Sequence, residues 1–177
     1  MPLLTAEGSA LLLVDFQARL MPAIRDGDRA LGNAARLLAG ARLLGVPVAA
    51  TEQNPRGLGA TVPGLALRPE EIRAKATFDA GASPGALERL PPGRLVVVAG
   101  CEAHVCVLQT VLGLLAGGRR VAVAADATGS RRAESREAAL ARMAREGAEV
   151  VTTEMVLFEW VASCEHPRFR DILALVR

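Results

Sequence analysis

Short apolar runs alternate along this chain with longer stretches of helical periodicity, and this alternation constrains the fold more than any other feature. Three of the runs, ALLLVDF at 10–16, RLVVVAG at 94–100 and RVAVAAD at 120–126, are almost continuously apolar. Such runs are typical of strands buried on both faces, as in a parallel sheet covered by helices on either side. The alternation with helices also favours repeated βαβ units. The sequence therefore predicts an α/β fold with three layers, in which helices cover both faces of a mostly parallel, Rossmann-like sheet.

The periodicity predicts five strands and six helices in a single domain spanning residues 1–177. The strands are expected at 10–16, 46–51, 94–100, 120–126 and 148–153. The helices are expected at 28–45, 83–90, 102–118, 133–147, 154–162 and 167–176. Residues 52–83 are rich in glycine, proline and polar side chains and form a long excursion. Loops of this length in compact domains are usually functional.

Composition and charge argue against several classes of function. The chain has 177 residues and a net charge of +2, and no arginine cluster is interleaved with aromatic residues, so nucleic-acid binding is not expected. The first apolar run is too short to cross a membrane and follows no positively charged segment, which favours a cytoplasmic protein. Three cysteines are an odd count, which argues against a disulfide framework. The glycine-rich fingerprints of nucleotide cofactors are missing, so no cofactor is predicted.

Lysine occurs once in the chain, at position 75, whereas all the others of its 21 Lys+Arg residues are arginine. A solvated surface cation can be either residue. In a chain so biased toward arginine, an ordinary surface cation at this position would be expected to be arginine. Lysine differs from arginine where a compact point charge is needed. Lys75 is therefore a candidate site residue, although its survival by chance explains the composition equally well.

Other candidates lie where predicted strands end, because ligands of open α/β sheets bind outside the carboxyl ends of the strands. The first strand ends at Asp15, the strand at 94–100 leads into Glu102, His104 and Cys106, and the strand at 120–126 ends at Asp126. Asp126 is expected to be a structural carboxylate at a strand end. His104 is expected either to contact a ligand at the mouth of the site or, preferably, to be a helix-turn residue bonded to backbone.

Cys106 lies near the start of a predicted helix, where unpaired N–H groups and the helix dipole lower the pKa of a thiol. A nearby lysine would lower the pKa further, and Asp15 could accept the proton. This is the arrangement of an activated nucleophile. Two simpler interpretations remain open: Cys106 as a small buried hydrophobic residue, and Asp15 as a turn or cap carboxylate.

Several segments together resemble the isochorismatase-like cysteine hydrolases, and within them the isochorismatase domain-containing proteins. The matching segments, in order and nearly end to end, are LLLVDFQ, TEQNPRGLG, KATF, VVVAGCEAHVCVLQT, VAVAADATGSR and HPRF. The resemblance implies a catalytic triad of Asp15, Lys75 and Cys106 and a sheet of six mostly parallel strands. It also implies a cis peptide between Cys101 and Glu102, with the N–H groups of Glu102 and Cys106 forming an oxyanion hole. The single lysine thus falls on the triad position.

The resemblance also bears on metals and on the substrate pocket. Nicotinamidases in the same family bind a metal after the second strand, where this chain has TEQNPRG with Glu52 but no histidine, so we predict no metal. The expected pocket residues are Phe16, Gln17, Phe78 and His104. Phe16 and Phe78 flank the triad positions, and His104 could contact a ligand at the mouth of the pocket. Trp160 is expected to serve packing or a subunit interface.

The leading functional prediction is a cofactor-free hydrolase that cleaves an amide-type C–N bond of a small molecule through a thioester. One alternative is hydrolysis of an isochorismate-like vinyl ether, and another is an inactive family member that serves as a binding module. A receiver-like domain is not favoured, because LLLVDFQ supplies only one of the acidic residues that its magnesium needs. The apolar segment EMVLFEWV at 154–161, together with the resemblance, predicts a homo-oligomer, at least a dimer. No membrane partner is expected.

Overall fold

Six strands form one sheet in the computed structural model, which describes residues 3–177, so the first two residues of the predicted domain lie outside the described residues. The strands are β1 Ser9–Val14, β2 Val48–Gln53, β3 Ile72–Lys75, β4 Leu95–Cys101, β5 Val121–Gly129 and β6 Glu149–Val151. Their order in the sheet is β3-β2-β1-β4-β5-β6, and every neighbouring pair is parallel. The predicted fold class is confirmed, with a sheet that is entirely rather than mostly parallel.

Helices cover both faces of the sheet. They are α1 Gly27–Leu44, α2 Pro55–Leu58, α3 Leu108–Ala116, α4 Ala133–Arg145, α5 Thr153–Val161 and α6 Phe169–Val176. Alternate residues of the central strands enter two separate apolar clusters: Leu11 and Leu13 of β1 face the cluster of α1, α5 and α6, whereas Leu12 and Val14 face the cluster of α3 and α4. This two-sided burial explains why β1 and β4 are continuous apolar runs.

The structure differs from the predicted elements in three places, namely a strand that was not predicted, a predicted helix that is replaced by turns and a predicted helix that is divided. The sequence does not predict β3, because this edge strand has the sequence IRAK and carries charged, partly exposed residues in place of an apolar run. The helix predicted at 83–90 is a series of turns, since the surrounding SPGALERLPPG is rich in proline and glycine and Gly85 takes a φ of +76°. The predicted helix at 102–118 is divided into a π-helical turn, Ala103–Val107, and α3.

The apolar segment at 154–161 packs against other parts of the same chain. Val156, Leu157, Trp160 and Val161 are all buried in the core on one face of the sheet, and among the apolar residues of the segment only Met155 is substantially exposed, at 46%. Trp160 therefore serves packing, which was one of the two expected roles. The apolar segment therefore no longer supports the prediction of a homo-oligomer. Among the described helices, none is both long and apolar enough to cross a membrane.

Candidate active site

The order of the strands reverses direction between β1 and β4, and the candidate residues gather at the carboxyl ends around this point. β1 is followed directly by Asp15, β2 ends at Gln53, β3 ends at Lys75, and the turn after β4 carries Cys106. Crevices at such a switch point are the usual ligand sites of open α/β sheets. The missed strand β3 is therefore the element that delivers Lys75 to the same edge as Asp15.

Asp15 is fully buried and has two side-chain partners. Its Oδ2 accepts a hydrogen bond from Lys75 Nζ at 2.8 Å, and its Oδ1 accepts one from Thr51 Oγ1 at 2.7 Å. Its φ is +54°, in the left-handed region that non-glycine residues seldom occupy. This turn directs the carboxylate across the end of β2 toward β3. A buried carboxylate requires such partners, because an unpaired charge away from water is costly.

Lys75 is also buried, and its ammonium joins two neighbouring groups. Nζ donates to Asp15 and to Oε1 of Gln53, the latter at 2.7 Å. The ammonium is compact and can donate in three directions, whereas a planar guanidinium at this position would need more room. The geometry thus gives a physical reason for lysine at this position in an arginine-rich chain.

Cys106 lies in the π-helical turn Ala103–Val107, a kind of turn that is frequent at functional sites. Its Sγ lies 4.0 Å from Gln53 Oε1. Burial and the adjacent Asp15 carboxylate raise the pKa of the thiol to about 12, against the opposing effect of Lys75. The expectation of a lowered pKa is therefore wrong for the resting site, because burial and Asp15 outweigh the lysine. The group at rest is a thiol beside a carboxylate.

Glu102 begins this turn, and the peptide bond between Cys101 and Glu102 is cis. The Glu102 carboxylate accepts hydrogen bonds from Arg131 N at 2.9 Å and from Arg131 Nε at 3.0 Å. The N–H group of Glu102 donates to no other residue within the part of the chain that the structure describes. One backbone donor beside Cys106 is thus available to a ligand.

A cleft of about 380 Å³ opens above these groups. Its walls are mostly apolar, with two arginines and the candidate catalytic groups among them. The lining residues are Asp15, Arg19, Leu20, Ala23, Gln53, Leu58, Phe78, Glu102, Val105, Cys106 and Arg131. The volume is of the order that small-molecule sites have.

Only one of the four expected pocket residues lines this cleft. Phe78 does so and is about half exposed. Phe16 is 1% exposed and packs in the core, because the backbone turn at Asp15 directs it away from the cleft. Gln17 is fully buried and bonds to backbone groups of Gln53 and Gly59. His104 Nδ1 pairs with the side-chain Oγ of Ser130 at 3.1 Å, whereas the preferred expectation was a bond to backbone.

Gln53 and Thr51 contact the buried pair but were not singled out in the sequence. Both lie on β2, whose predicted end at residue 51 is two residues too early. The rule that ligands bind at the carboxyl ends of strands would have indicated Gln53 had the strand been extended through TEQ. Asp126 accepts hydrogen bonds from the N–H and Oγ1 of Thr153, at 2.8 and 2.9 Å, in keeping with the structural role expected for it.

Glu52, the one acidic residue considered as a metal ligand after β2, is engaged elsewhere. Its Oε1 accepts hydrogen bonds from the N–H and Oγ1 of Thr61, at 2.6 and 2.8 Å. Within residues 3–177, no three His, Cys, Asp or Glu side chains cluster in a way that could hold a metal ion. Glu52 thus fastens the loop after β2.

Comparison with known proteins identifies the family of the chain. The isochorismatase domain family matches residues 9–155. The chain belongs to the isochorismatase family. Isochorismatase domain-containing protein 2 of Danio rerio is 37% identical over 175 residues, which cover 98% of this chain and 89% of that protein. Isochorismatase domain-containing protein 1 of Danio rerio is 40% identical over 172 residues, 96% of this chain, but the match spans only 61% of that protein's length.

Three solved structures resemble the fold closely. The MAR1 ribonuclease of Caenorhabditis elegans superposes with a TM-score of 0.92 at 34% identity, covering 99% of this chain and 92% of that one. YcaC of Pseudomonas aeruginosa, described with covalent acrylamide, has a TM-score of 0.87 at 28% identity over 98% and 91% of the two chains. YcaC of Escherichia coli, described as an octameric hydrolase of unknown specificity, has a TM-score of 0.87 at 26% identity over 99% and 88%.

Proposed function

We propose that this member of the isochorismatase family is a cofactor-free cysteine hydrolase that cleaves an amide-type C–N bond of a small molecule. Cys106 is the nucleophile, Asp15 the base and Lys75 the fixed positive charge between them. The observation that carries the proposal is the buried pair of Lys75 and Asp15, joined at 2.8 Å beside a thiol at the floor of a small cleft. A nucleophile, a base and an orienting charge in contact are the parts that covalent catalysis requires.

The raised pKa of Cys106 determines how the first step proceeds. With a pKa of about 12, the resting group is a thiol at neutral pH, so attack on a carbonyl carbon must be coupled to transfer of its proton to Asp15. Once Asp15 is protonated it no longer repels the sulfur, and the Lys75 ammonium then faces a thiolate alone. The proton thus passes from Cys106 to Asp15 in this step, and the lysine favours the resulting thiolate.

Charge then develops on the carbonyl oxygen of the substrate. The N–H of Glu102, which donates to none of the other described residues, and the N–H of Cys106 are the two donors that would receive this oxyanion. One such donor is typically worth about 3–4 kcal/mol to the transition state. The two bonds between Glu102 and Arg131 hold the turn that presents this donor.

The tetrahedral intermediate collapses as the C–N bond breaks, and Asp15 returns its proton to the leaving nitrogen. The product at this stage is a thioester on Cys106 together with a free amine or ammonia. Water then attacks the thioester, with Asp15 taking a proton from it and passing that proton to the departing sulfur. Each proton that Asp15 accepts is given back, so the cycle needs no metal or redox partner.

The names of the neighbouring structures favour covalent chemistry but leave the substrate open. The covalent acrylamide of P. aeruginosa YcaC is the adduct that an accessible nucleophile forms with an electrophile. The C. elegans neighbour is called a ribonuclease. For this chain we favour a small molecule, because the cleft measures about 380 Å³ and most of its wall is apolar, whereas RNA binding relies on extended basic or aromatic surfaces.

A panel of small aliphatic amides, assayed by release of ammonia, tests the proposal. Wild-type protein should hydrolyse at least one member of the panel, and Cys106→Ala should not. Cleavage of a vinyl ether without a thioester would show a different reaction. Degradation of RNA that persists in Cys106→Ala would also show a different reaction. Failure of the wild type with every amide, together with binding of a ligand in the cleft, would indicate the inactive binding module.

We further propose that the chain forms a homo-oligomer. The E. coli neighbour is described as octameric, which favours assembly in this family member. Exposed apolar residues, among them Val150 on the edge strand β6 and Met155 on α5, supply surface for such contacts. Light scattering at micromolar concentration should give at least twice the monomer mass, and a monomer would contradict assembly.

A further inference from the structure

Gln53 lies at the carboxyl end of β2, between the lysine and the thiol of the candidate site. It is 8% exposed. Its Oε1 accepts a hydrogen bond from Lys75 Nζ at 2.7 Å and lies 4.0 Å from Cys106 Sγ. Its Nε2 donates to the carbonyl of Ala76 at 2.7 Å. Gln53 is therefore a neutral side chain that contacts both the lysine of the charged pair and the nucleophile.

The surroundings allow the amide of Gln53 only one orientation. The Lys75 ammonium can only donate, so it requires the amide oxygen, while the Ala76 carbonyl can only accept, so it requires the amide NH2. A flipped amide would lose both bonds. The backbone is held as well, because Gln17 accepts from Gln53 N at 2.8 Å and donates to Gln53 O at 3.1 Å. The buried Gln17 thus serves the site through Gln53.

We propose that Gln53 is a positioning residue that holds the Lys75 ammonium between Asp15 and Cys106, so that the lysine stabilises the thiolate as well as the carboxylate. This inference rests on the proposed function. An ammonium has three donor positions, of which Asp15 and Gln53 use two and leave the third for the sulfur. Without Gln53, Lys75 would pair with Asp15 alone and move away from the nucleophile.

The other ionisable groups near Cys106 do not take over the role of Lys75 beside the thiol. Asp15 raises the pKa of the thiol, and the Glu102 carboxylate is neutralised by Arg131. The ionisable groups that line the cleft or lie beside it are Asp15 after β1, Arg19 in the following loop, Lys75 on β3, Cys101 and Glu102 at the end of β4, and Arg131 after β5. Lys75 is the buried cation among them and lowers the pKa of the thiol, although burial and Asp15 outweigh it.

The test is the pH dependence of iodoacetamide alkylation at Cys106, measured by peptide mass spectrometry. A Cys164→Ser background removes the exposed thiol, and the buried Cys101 serves as an internal reference. Gln53→Met keeps the length of the side chain but removes the acceptor, and Gln53→Glu keeps the shape but adds a negative charge. Gln109→Leu changes an exposed glutamine on α3 and is the matched control.

Alkylation of Cys106 at a fixed alkaline pH should be slower in Gln53→Met and slowest in Gln53→Glu, about tenfold for each unit by which the thiol pKa rises. Gln109→Leu should match the background protein. With an amide substrate, kcat should fall in both Gln53 variants while KM changes little. A higher pH midpoint of alkylation, in a variant whose thermal unfolding matches that of the background protein, would distinguish positioning from a purely structural role.

Superimposable pH profiles for folded Gln53→Met, Gln53→Glu and the background would overturn the inference. Loss of folding in both variants would also contradict it, because a positioning role predicts folded proteins. The proposed function fails by a different result, namely amide hydrolysis that persists in Cys106→Ala. The alkylation profile and the activity of Cys106→Ala therefore separate the two failures.

Discussion

The ammonium of Lys75 lies 2.8 Å from Oδ2 of Asp15, although 60 positions of the chain separate the two residues. Neither side chain has any exposed surface. Removing one partner of a buried ion pair typically costs about 3–5 kcal/mol, because the other charge is left uncompensated. A pair of apolar residues would fill the same space without leaving a buried charge to be compensated. We therefore infer that the two charges serve the proposed chemistry at the neighbouring Cys106.

Asp15→Asn should separate formation of the thiolate from turnover. The carboxylate raises the pKa of Cys106, so its removal should lower this pKa and accelerate alkylation near pH 8, about tenfold for each unit of the change. Amide hydrolysis should fall by roughly 10²–10⁴-fold, since the base is lost. Alkylation kinetics and ammonia release measure the two effects.

Asp126→Asn is the control for this variant, because Asp126 is a carboxylate whose Oδ1 is bonded to Thr153 away from the cleft. It should leave the alkylation rate of Cys106 unchanged. Slower alkylation in Asp15→Asn would mean that the carboxylate promotes the thiolate at rest, which contradicts a resting thiol whose pKa Asp15 raises.

Substitutions of Lys75 should act on Cys106 in the opposite direction. Lys75→Ala removes the positive charge that lowers the pKa of the thiol, so the pKa should rise and alkylation should slow. Lys75→Arg keeps the charge but replaces a compact ammonium with a larger planar group in a buried position. Displacing catalytic groups by about 1 Å can cost on the order of 100-fold in rate. Iodoacetamide profiles that coincide for wild type, Lys75→Arg and Lys75→Ala would contradict the assignment of Lys75.

The sequence predicted the fold class and indicated Asp15, Lys75 and Cys106, because these depend on patterns that can be read along the amino-acid sequence. Two-sided burial leaves continuous apolar runs, and a single lysine among arginines is visible in a count. The position of Lys75 on a strand was not predictable, since IRAK carries no apolar run and is stabilised by pairing with β2.

The sequence misled where the answer depends on three-dimensional surroundings. The pKa of Cys106 follows from burial and from the proximity of Asp15, neither of which a position near a helix start reveals. Phe16 flanks Asp15 in the chain, but the backbone turn at Asp15 sends it into the core. The apolar residues of 154–161 could equally have been a subunit interface, and only packing shows that most of them are internal.

Glu71→Gln should destabilise the fold in a manner that depends on pH. Glu71 precedes β3, accepts a hydrogen bond from Arg42 Nη1 at 2.6 Å and another from Arg68 N at 2.8 Å. Burial alone would raise the pKa of Glu71, but these bonds outweigh burial and lower it below 4.5. A depressed folded pKa stabilises the protein above the unfolded pKa, and this stability is lost as pH falls through the folded value.

Urea unfolding should therefore show a loss of roughly 1.5–3 kcal/mol for Glu71→Gln at pH 7. The difference from wild type should shrink as the pH is lowered below 4.5, the ordinary pKa of the carboxyl group. The adjacent exposed Glu70→Gln should cost little at either pH. An equal loss for Glu71→Gln at pH 7 and pH 3 would show that its charge is not involved.

Chelation should leave activity intact. Glu52 is bonded to Thr61, and no metal-binding cluster of three residues is present within the described range 3–177. Ammonia release from an amide substrate should therefore be the same before and after dialysis against EDTA. Activity lost on chelation and restored by zinc would require a metal in the mechanism.

Acylation of Cys106 with Asp15 as its base is central to the proposed function, and an activated ester tests it without knowledge of the natural substrate. The protein in a Cys164→Ser background is mixed with p-nitrophenyl acetate at neutral pH, quenched in acid and mapped by mass spectrometry. We predict one acetyl group on Cys106 that is lost over time, and its absence in Cys106→Ala. An acetyl group that never appears on Cys106, or that forms on Lys75 or elsewhere at the same rate in Cys106→Ala, would contradict this mechanism.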